Sequence, residues 1–161
     1  MEAAAFERDL RPLLHRSGAY AVSLLGSRKD AEDAVQQAAL QGWQRRAQYD
    51  SERPFKAWWF AILRNYCLDE LRRRKRAPLP ITVEDANLSS PADESVLNRV
   101  AVERAMEKLP EMQREVLRLR YYGDLTYQEM GHVLGIPTGT VMSRLHLARK
   151  ALAVLITAEE P

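Results

Sequence analysis

The amino-acid sequence predicts an all-α protein of two small helical domains joined by an acidic flexible linker. Apolar residues recur at spacings of three and four in both halves of the 161-residue chain, and no stretch has a strong strand pattern. Residues 77–96 interrupt this pattern with three prolines, four acidic residues and no basic one. We therefore expect a first domain over residues 1–76, a linker over residues 77–96 and a second domain over residues 97–161.

The distribution of charge supports this division. Fifteen basic and ten acidic residues give residues 1–76 a net charge of +5, whereas residues 77–96 carry −4. Nine basic and eight acidic residues leave residues 97–161 at +1. The middle segment therefore differs in kind from both of its neighbours, as expected for a solvated linker.

The composition excludes disordered and membrane-inserted proteins, since 46% of the residues are hydrophobic and 29% are charged. No apolar run approaches the roughly 18 residues of a spanning helix, and the N-terminus lacks the pattern of a secretory signal. The single cysteine, Cys67, lies among apolar neighbours, where a buried thiol is expected rather than a reactive one. We expect no membrane insertion and a cytoplasmic location.

Two helices can be placed in the first domain from their end signals. Ser27 is a suitable N-cap for a helix that runs to about Arg46, and Pro54 is well placed as the first residue of the next, which runs to about Arg76. The first half of this long helix is apolar nearly all round. We expect one of Trp58 and Trp59 to pack in the core.

One side of the long helix combines an indole, an amide and guanidinium groups. The residues on this stripe are Trp58, Ala61, Asn65, Asp69, Arg72 and Arg76. Single-stranded nucleic acid needs such a stacking surface, an edge reader and phosphate contacts. For the basic run at residues 72–76, a solvated helix end stabilised by the helix dipole remains the alternative.

The second domain shows signals for helices separated by tight turns. Its first helix breaks at Pro110, and Thr126 with Glu129 forms a T-x-x-E capping box for a short helix that ends before Gly135. Thr138 is the expected cap of a final helix.

The two short helices have the pattern of a helix-turn-helix. Steeply crossed helices need a very small residue on the first helix, a flexible residue in the turn and an apolar residue early in the second. Gly131, Gly135 and Val141 fill these three positions. A helical hairpin with a purely structural role is the alternative.

The final helix has distinct apolar and polar faces. Its apolar stripe consists of Val141, Leu145, Ala148 and Leu152, and the opposite face carries Thr140, Met142, Ser143, His146, Leu147 and Lys150. Hydroxyls and cations near the start of this helix favour contact with base edges in a DNA major groove. The apolar Met142 and Leu147 fit thymine methyl groups or edge packing, and the sequence leaves both open.

Three segments in this order resemble one family. The segments DAEDAVQQAALQGW, FKAWWFAILRNYCLDELRRRKR and LPEMQREVLRLRYYGDLTYQEMGHVLGIPTGTVMSRLHLARKAL, with an acidic linker before the third, are similar to extracytoplasmic-function sigma factors of bacterial RNA polymerase. The resemblance runs from about Leu10 to Leu155. It implies an initiation factor, serving a stress or envelope regulon, whose first domain binds polymerase and melts the minus-10 promoter element while the second reads the minus-35 element.

The resemblance also implies a role for individual residues. The positions that bind the β′ clamp helices of polymerase match Asp30, Asp33, Gln36 and Gln37, although these residues alone favour a solvated acidic face. The minus-10 positions match Tyr49, Ser51, Arg53, Lys56, Trp58, Asn65, Arg72, Arg73 and Arg76, with the loop at residues 48–55 receiving a flipped base. The minus-35 positions match Arg120, Thr138, Thr140, Met142, Ser143, Arg144, His146, Leu147 and Lys150.

The sequence departs from the family pattern at three positions. Leu147 replaces a common arginine, Trp59 a common leucine and Gly131 a usual alanine. The presence of Leu147 instead of arginine concerns the contacts expected with the minus-35 element.

The implied partners are core RNA polymerase, through its β′ clamp helices and β flap, promoter DNA, and an anti-sigma factor. The promoter would be duplex at minus-35 and single-stranded at minus-10, and the linker would thread the RNA exit path. No cofactor, metal or enzymatic activity is expected, because the three histidines lack metal-ligand spacing and no glycine-rich phosphate loop is present. The alternative is a conventional helix-turn-helix regulator that acts without stable polymerase association, although residues 1–76 show no dimerising or ligand-sensing pattern.

Overall fold

The computed structural model describes residues 1–76 and 94–159, and within these ranges the protein is helical with no strand. The helices are α1 (Ala3–Leu10), α2 (Leu14–Leu25), α3 (Arg28–Arg45), α4 (Phe55–Arg76), α5 (Glu94–Glu107), α6 (Glu111–Tyr121), α7 (Tyr127–Leu134) and α8 (Thr138–Glu159). Short 3₁₀ turns at Arg11–Leu13 and Arg46–Gln48 follow α1 and α3. The predicted all-α class with two helical domains is confirmed.

The core of the first domain lies between α2, α3 and α4. Small side chains let α3 approach α2 and α4 closely, since its residues Ala31, Ala34 and Ala38 are buried against them. Large side chains of α4 fill the space between the helices, and Trp59 and Phe60 are completely buried. Trp59 is therefore the tryptophan that belongs to the core, as expected for one of the adjacent pair.

The ends of α3 and α4 lie close to their predicted positions. The Ser27 hydroxyl accepts a hydrogen bond from the Asp30 amide at 3.3 Å, which confirms Ser27 as the N-cap of α3. Pro54 is not the first helical residue, because its carbonyl already accepts the Trp58 amide at 3.2 Å and α4 begins at Phe55. Proline therefore acts here through its carbonyl as the residue before the helix.

The second domain differs from expectation at two helix starts. Helix α5 begins at Glu94, inside the predicted linker, and the remainder of that linker at residues 77–93 lies outside the described residues. Helix α8 includes Thr138, and the Val141 amide donates to the Pro137 carbonyl at 3.1 Å. Thr138 is thus the first helical residue rather than the cap, a role that falls to Pro137 through its backbone oxygen.

The two domains are in direct contact in this structure. Helix α4 packs against α7, and α2 touches α6. Arg64 of the first domain forms an ion pair with Glu115 of the second, and the Lys56 ammonium donates to the Asp124 carbonyl at 2.6 Å. The contact joins residues that are 51 and 68 positions apart in sequence.

Candidate nucleic-acid and polymerase interfaces

The predicted polymerase-binding residues lie on the outer side of α3. Asp33, Gln36 and Gln37 are exposed, while the alanines of the same helix face the core. The start of this helix is fixed by the Ser27 cap, so its polar face has a defined orientation. A row of one carboxylate and two amides is thereby presented to solvent.

Asp30 differs from the other three because it is engaged within the domain. Its carboxylate accepts a hydrogen bond from the Arg74 guanidinium at 2.6 Å, and Arg74 also donates to the Leu25 carbonyl at 3.1 Å. The pair connects the start of α3 to the end of α4. Arg74 was absent from the predicted site, since no periodicity indicates a partner 44 residues away.

An aromatic cluster forms where the loop at residues 49–54 enters α4. The ring of Trp58 lies 5.2 Å from that of Tyr49 and 5.7 Å from that of Phe55, centroid to centroid. The Tyr49 hydroxyl donates to the Arg53 carbonyl at 2.6 Å, which closes the loop upon itself. Burial raises the pKa of Tyr49, so its phenol remains a donor. These rings make a small apolar wall beside the exposed loop residues Ser51 and Arg53.

Helix α4 carries the other predicted minus-10 residues. Asn65 is exposed and lies two turns beyond the half-buried Trp58, about 10 Å along the helix axis at 1.5 Å per residue. At the end of α4, Arg72 pairs with Asp69 at 2.9 Å and Arg73 pairs with Glu70 at 2.8 Å.

These two ion pairs are local and solvated. Arg72, Arg73 and Arg76 are exposed, so their guanidinium groups remain accessible to a phosphate. The hydrogen bond from Arg73, opposed by partial burial, holds the pKa of Glu70 below its usual value. Lys56 alone among the predicted cations of this group is bound to the other domain.

The helix-turn-helix has the expected internal geometry. Thr126 and Glu129 form a reciprocal capping box at the start of α7, with bonds of 2.8 and 3.1 Å. A Cβ added to Gly131 would lie 2.8 Å from the Ile136 carbonyl oxygen, closer than such a contact allows. Gly135 ends α7 in the left-handed region at φ 66°. The turn therefore depends on glycine at both predicted positions.

Helix α8 buries one face and exposes the other. Val141, Leu145 and Ala148 are buried and Leu152 is half-buried, which confirms the apolar stripe. The opposite face is exposed at Met142, Ser143, His146, Leu147 and Lys150, and Thr138 is exposed at its start. Thr140 and Arg144 are half-buried at the edges of this face.

The two apolar members of that face lie open to solvent. Met142 is 53% exposed and Leu147 57% exposed, so more than half of the surface of each residue faces solvent. Both side chains therefore have apolar surface available for contact with a ligand, and partial edge packing remains compatible with this exposure. The Ser143 hydroxyl donates to the Gly139 carbonyl at 3.1 Å and retains its lone pairs for a further partner.

Arg120 is already occupied within the second domain. Its guanidinium donates to the Leu125 carbonyl at 2.9 Å and lies 5.5 Å from the ring centroid of Tyr127. Arg120 therefore stabilises the turn before α7, a structural role that the sequence did not predict. Arg149, which is not among the predicted site residues, is exposed on α8 and donates to the Tyr121 hydroxyl at 2.8 Å.

The described ranges contain no metal-binding cluster and no exposed thiol. Among residues 1–76 and 94–159, no three His, Cys, Asp or Glu side chains are arranged to hold a metal ion. Cys67 is buried as predicted, and burial raises the pKa of its thiol to about 12. None of the helices that the structure describes is long and apolar enough to cross a membrane.

These features define a class of two-domain, all-α proteins with a helix-turn-helix in the second domain. Residues 8–77 match the family model for sigma-70 region 2, and residues 99–152 match that for sigma-70 region 4. The chain belongs to the sigma-70 family, in its extracytoplasmic-function group, and directs initiation of transcription at promoters by RNA polymerase.

Individual relatives agree with this assignment over most of the chain. The sigma factor SigL of Mycobacterium tuberculosis is 33% identical over 96% of this chain and 93% of its own. SigF of Caulobacter vibrioides is 36% identical over 94% of this chain and 86% of its own. The sigma factor RpoE of Bartonella quintana, solved in complex with the anti-sigma factor NepR, has a TM-score of 0.72 at 25% identity and covers 98% of this chain and 100% of its own.

Proposed function

We propose that the protein divides promoter recognition between its domains, with residues 1–76 binding polymerase and opening the minus-10 element and residues 97–161 reading the minus-35 element. The observation that carries this proposal is the aromatic cluster of Tyr49, Phe55 and Trp58 next to an exposed amide on the same helix. Residues 77–96 connect the two functions in this proposal.

The outer side of α3 is the proposed docking surface for the β′ clamp helices. Asp33, Gln36 and Gln37 form its exposed part, and Asp30 adds a carboxylate that is shared with Arg74. Since an exposed ion pair contributes little, about 0 to 1 kcal/mol, a basic group on polymerase competes with Arg74 for Asp30 at small cost.

The minus-10 strand is the proposed ligand of the loop at residues 49–54 and of α4. An unpaired base stacks on the aromatic cluster and presents its edge to polar groups of the loop, while Asn65 reads a neighbouring base. Arg72, Arg73 and Arg76 attract the phosphates at the end of α4. Extruding one base costs a few kcal/mol, and stacking worth about 1–3 kcal/mol per base offsets much of it.

The minus-35 element is the proposed ligand of α8. Ser143 and His146 lie at the centre of its exposed face and reach base edges in the major groove, with Met142 and Leu147 against thymine methyl groups on either side. The DNA backbone is contacted by Lys150, by Thr138 at the start of α8 and by the edge residues Thr140 and Arg144. In this proposal Arg120 contacts a phosphate while it keeps its hydrogen bond to the Leu125 carbonyl.

Two further partners complete the proposal. The second domain contacts the β flap of core polymerase, and an anti-sigma factor holds the protein inactive, as NepR is found in complex with the related RpoE. Because bacterial transcription takes place in the cytoplasm, the proposal places the protein there, in the service of a stress or envelope regulon.

Run-off transcription with purified core polymerase and genomic fragments tests the proposal. We expect discrete transcripts that need both the protein and core polymerase, and co-purification of the two. Tight binding to a duplex site without polymerase, and no transcripts with it, would instead identify a conventional helix-turn-helix regulator.

A further inference from the structure

A buried phenylalanine of α1 contacts both helices that flank the loop at residues 49–54. Phe6 is only 5% exposed. Its ring packs edge-on with that of Trp43, which lies on α3 before the loop, at 5.7 Å between the centroids. The same ring packs edge-on with that of Phe55, the first residue of α4 after the loop, at 6.0 Å. One side chain therefore joins the helix that precedes the loop to the helix that follows it.

The Phe6 ring reaches this position because Gly42 of α3 has no side chain. A Cβ added to Gly42 would lie 3.3 Å from both Cε2 and Cζ of Phe6, which is closer than most side-chain contacts. Gly42 is buried inside α3, where glycine is less favourable than alanine. The space that the Phe6 ring needs gives a physical reason for glycine at this position.

Trp43 also contacts the segment that leads into the loop. The guanidinium carbon of Arg46 lies 4.0 Å from the centroid of the Trp43 ring, and Arg46 donates a hydrogen bond to the Trp43 carbonyl at 2.8 Å. Arg46 begins the 3₁₀ turn that ends at Gln48, and Tyr49 follows this turn directly. Contacts with Phe6 and Arg46 therefore hold Trp43 where the chain turns from α3 into the loop.

Phe55 connects Phe6 to the two rings that line the proposed base site. The Phe55 ring lies 5.7 Å from that of Tyr49 and 5.7 Å from that of Trp58, centroid to centroid. Phe55 itself is half-buried, with the Phe6 ring packed against it. A displacement of Phe6 is thus transmitted to Tyr49 and Trp58 through Phe55.

We propose that Phe6 is a positioning residue for the minus-10 site, which holds the rings of Tyr49, Phe55 and Trp58 in the arrangement that receives an unpaired base. This inference rests on the proposed function of that aromatic cluster. Phe6 is buried and does not touch DNA in this proposal. Rings that are already in place lose little freedom when a base stacks on them, so loss of Phe6 weakens capture of the base.

Fluorine NMR tests the positioning role in the full-length protein without DNA or polymerase. Labelling with 5-fluorotryptophan gives one resonance for each of Trp43, Trp58 and Trp59, and replacement of each by phenylalanine assigns them. Phe6→Leu keeps an apolar side chain on α1 but removes the ring contacts. We expect the resonances of Trp43 and Trp58 to shift or broaden, whereas that of Trp59, fully buried in the core, should stay in place.

A second variant reaches the same ring from α3. Gly42→Ala places a methyl group against Phe6 without removing it, and should also change the Trp58 resonance. This substitution favours the helix through its higher helix propensity, so the test does not depend on the folding of Phe6→Leu. Circular dichroism verifies that both variants are folded.

Leu10→Ala is the matched control on α1. Leu10 is buried like Phe6 and lies one helical turn away, but its side chain is not aromatic and takes no part in the ring contacts. Its loss should lower the urea denaturation midpoint and leave the Trp58 resonance in place. An unchanged Trp58 resonance in both Phe6→Leu and Gly42→Ala, or an equal change in Leu10→Ala, would overturn the positioning role.

The consequence for promoter opening is measured with core polymerase on a duplex promoter obtained from the run-off transcription experiment. Permanganate reactivity of unpaired thymines should fall about fivefold for Phe6→Leu, while the Kd for polymerase stays within about twofold. Trp58→Ala tests the base site itself. Normal opening by Trp58→Ala would overturn the base site and the inference that rests on it. Normal opening by Phe6→Leu together with a defect of Trp58→Ala would overturn only the role of Phe6.

Discussion

The indole nitrogen of Trp59 donates a hydrogen bond of 2.7 Å to the hydroxyl of Ser17, inside the core of the first domain. Both residues are fully buried, and the bond joins α4 to α2. The Ser17 hydroxyl in turn donates to the Leu13 carbonyl at 2.6 Å, so both of the buried polar groups are satisfied. A tryptophan at this position thus depends on one small polar residue of the neighbouring helix.

Replacing Ser17 with alanine should destabilise the first domain. The change leaves the Trp59 N–H buried without an acceptor, which costs about 1–3 kcal/mol. The shift of the urea denaturation midpoint measures the loss. Ser23→Ala is the matched control, because the Ser23 hydroxyl donates only to the Tyr20 carbonyl and accepts no bond from a buried group. Equal effects of the two substitutions would show that the indole bond contributes nothing.

Local sequence signals predicted most of the fold. The Ser27 cap, the Thr126 and Glu129 capping box and the glycines of the turn depend on contacts within a few residues, and each is found in the structure. The starts of α4 and α8 were misplaced by one residue, because a proline carbonyl accepts the first helical bond in both cases. Side-chain preferences do not indicate such a cap.

The candidate site was predictable only in part, because several of its residues have distant partners. Arg74 with Asp30, Lys56 with the Asp124 carbonyl, and Arg64 with Glu115 join residues 44, 68 and 51 positions apart. Helical periodicity places a side chain on a face of its own helix but does not name the element that covers that face. These pairings therefore required the packed structure.

The polymerase surface can be tested with a double substitution on α3. Changing Asp33 and Gln37 together to alanine should weaken binding to core polymerase, since it removes exposed polar groups and leaves the buried alanines intact. Titration with labelled polymerase measures the affinity, and circular dichroism verifies the helical content. Glu32→Ala, which removes another exposed carboxylate of the same helix, serves as the control. An unchanged affinity of the double variant would contradict the assignment.

Substitutions on α8 should separate base reading from backbone attraction. Changing Ser143 and His146 to alanine should alter which minus-35 sequences support transcription, by about 1–3 kcal/mol for each lost base contact. Lys150→Ala should instead weaken binding to all sequences alike and reduce its salt dependence. Selection from a randomised minus-35 library provides the measurement. If the double variant selects the same sequences as the unchanged protein, α8 does not read bases through these side chains.

Asn65→Ala should impair promoter opening while polymerase binding stays nearly normal. The side chain is exposed, so its removal should have little effect on the fold. Permanganate footprinting of unpaired thymines measures opening on a duplex promoter and on a template with a pre-melted minus-10 bubble. The bubble template should restore much of the opening but not the base preference. Normal opening with unchanged preference would assign Asn65 a structural role only.

Cys67 should resist alkylation in the folded protein. Burial raises the pKa of its thiol to about 12, so almost no thiolate exists at pH 8, whereas the unfolded chain has a thiol pKa of about 8.5. Because the folded pKa is the higher one, the stability linked to this group is complete below about pH 8.5 and falls as the pH rises towards 12. A thiol reagent added with and without urea measures the difference. Rapid reaction of the native protein at pH 8 would show that Cys67 is accessible.

Tryptophan fluorescence can distinguish the first domain from the second, because of where the tryptophans lie in the chain. All three, Trp43, Trp58 and Trp59, belong to the first domain. Intrinsic indole emission therefore follows the melting of that half alone, whereas ellipticity at 222 nm follows helices in both. If the contact between Arg64 and Glu115 makes the halves unfold as one cooperative unit, the two signals should trace the same transition, and a charge reversal at that contact should separate them.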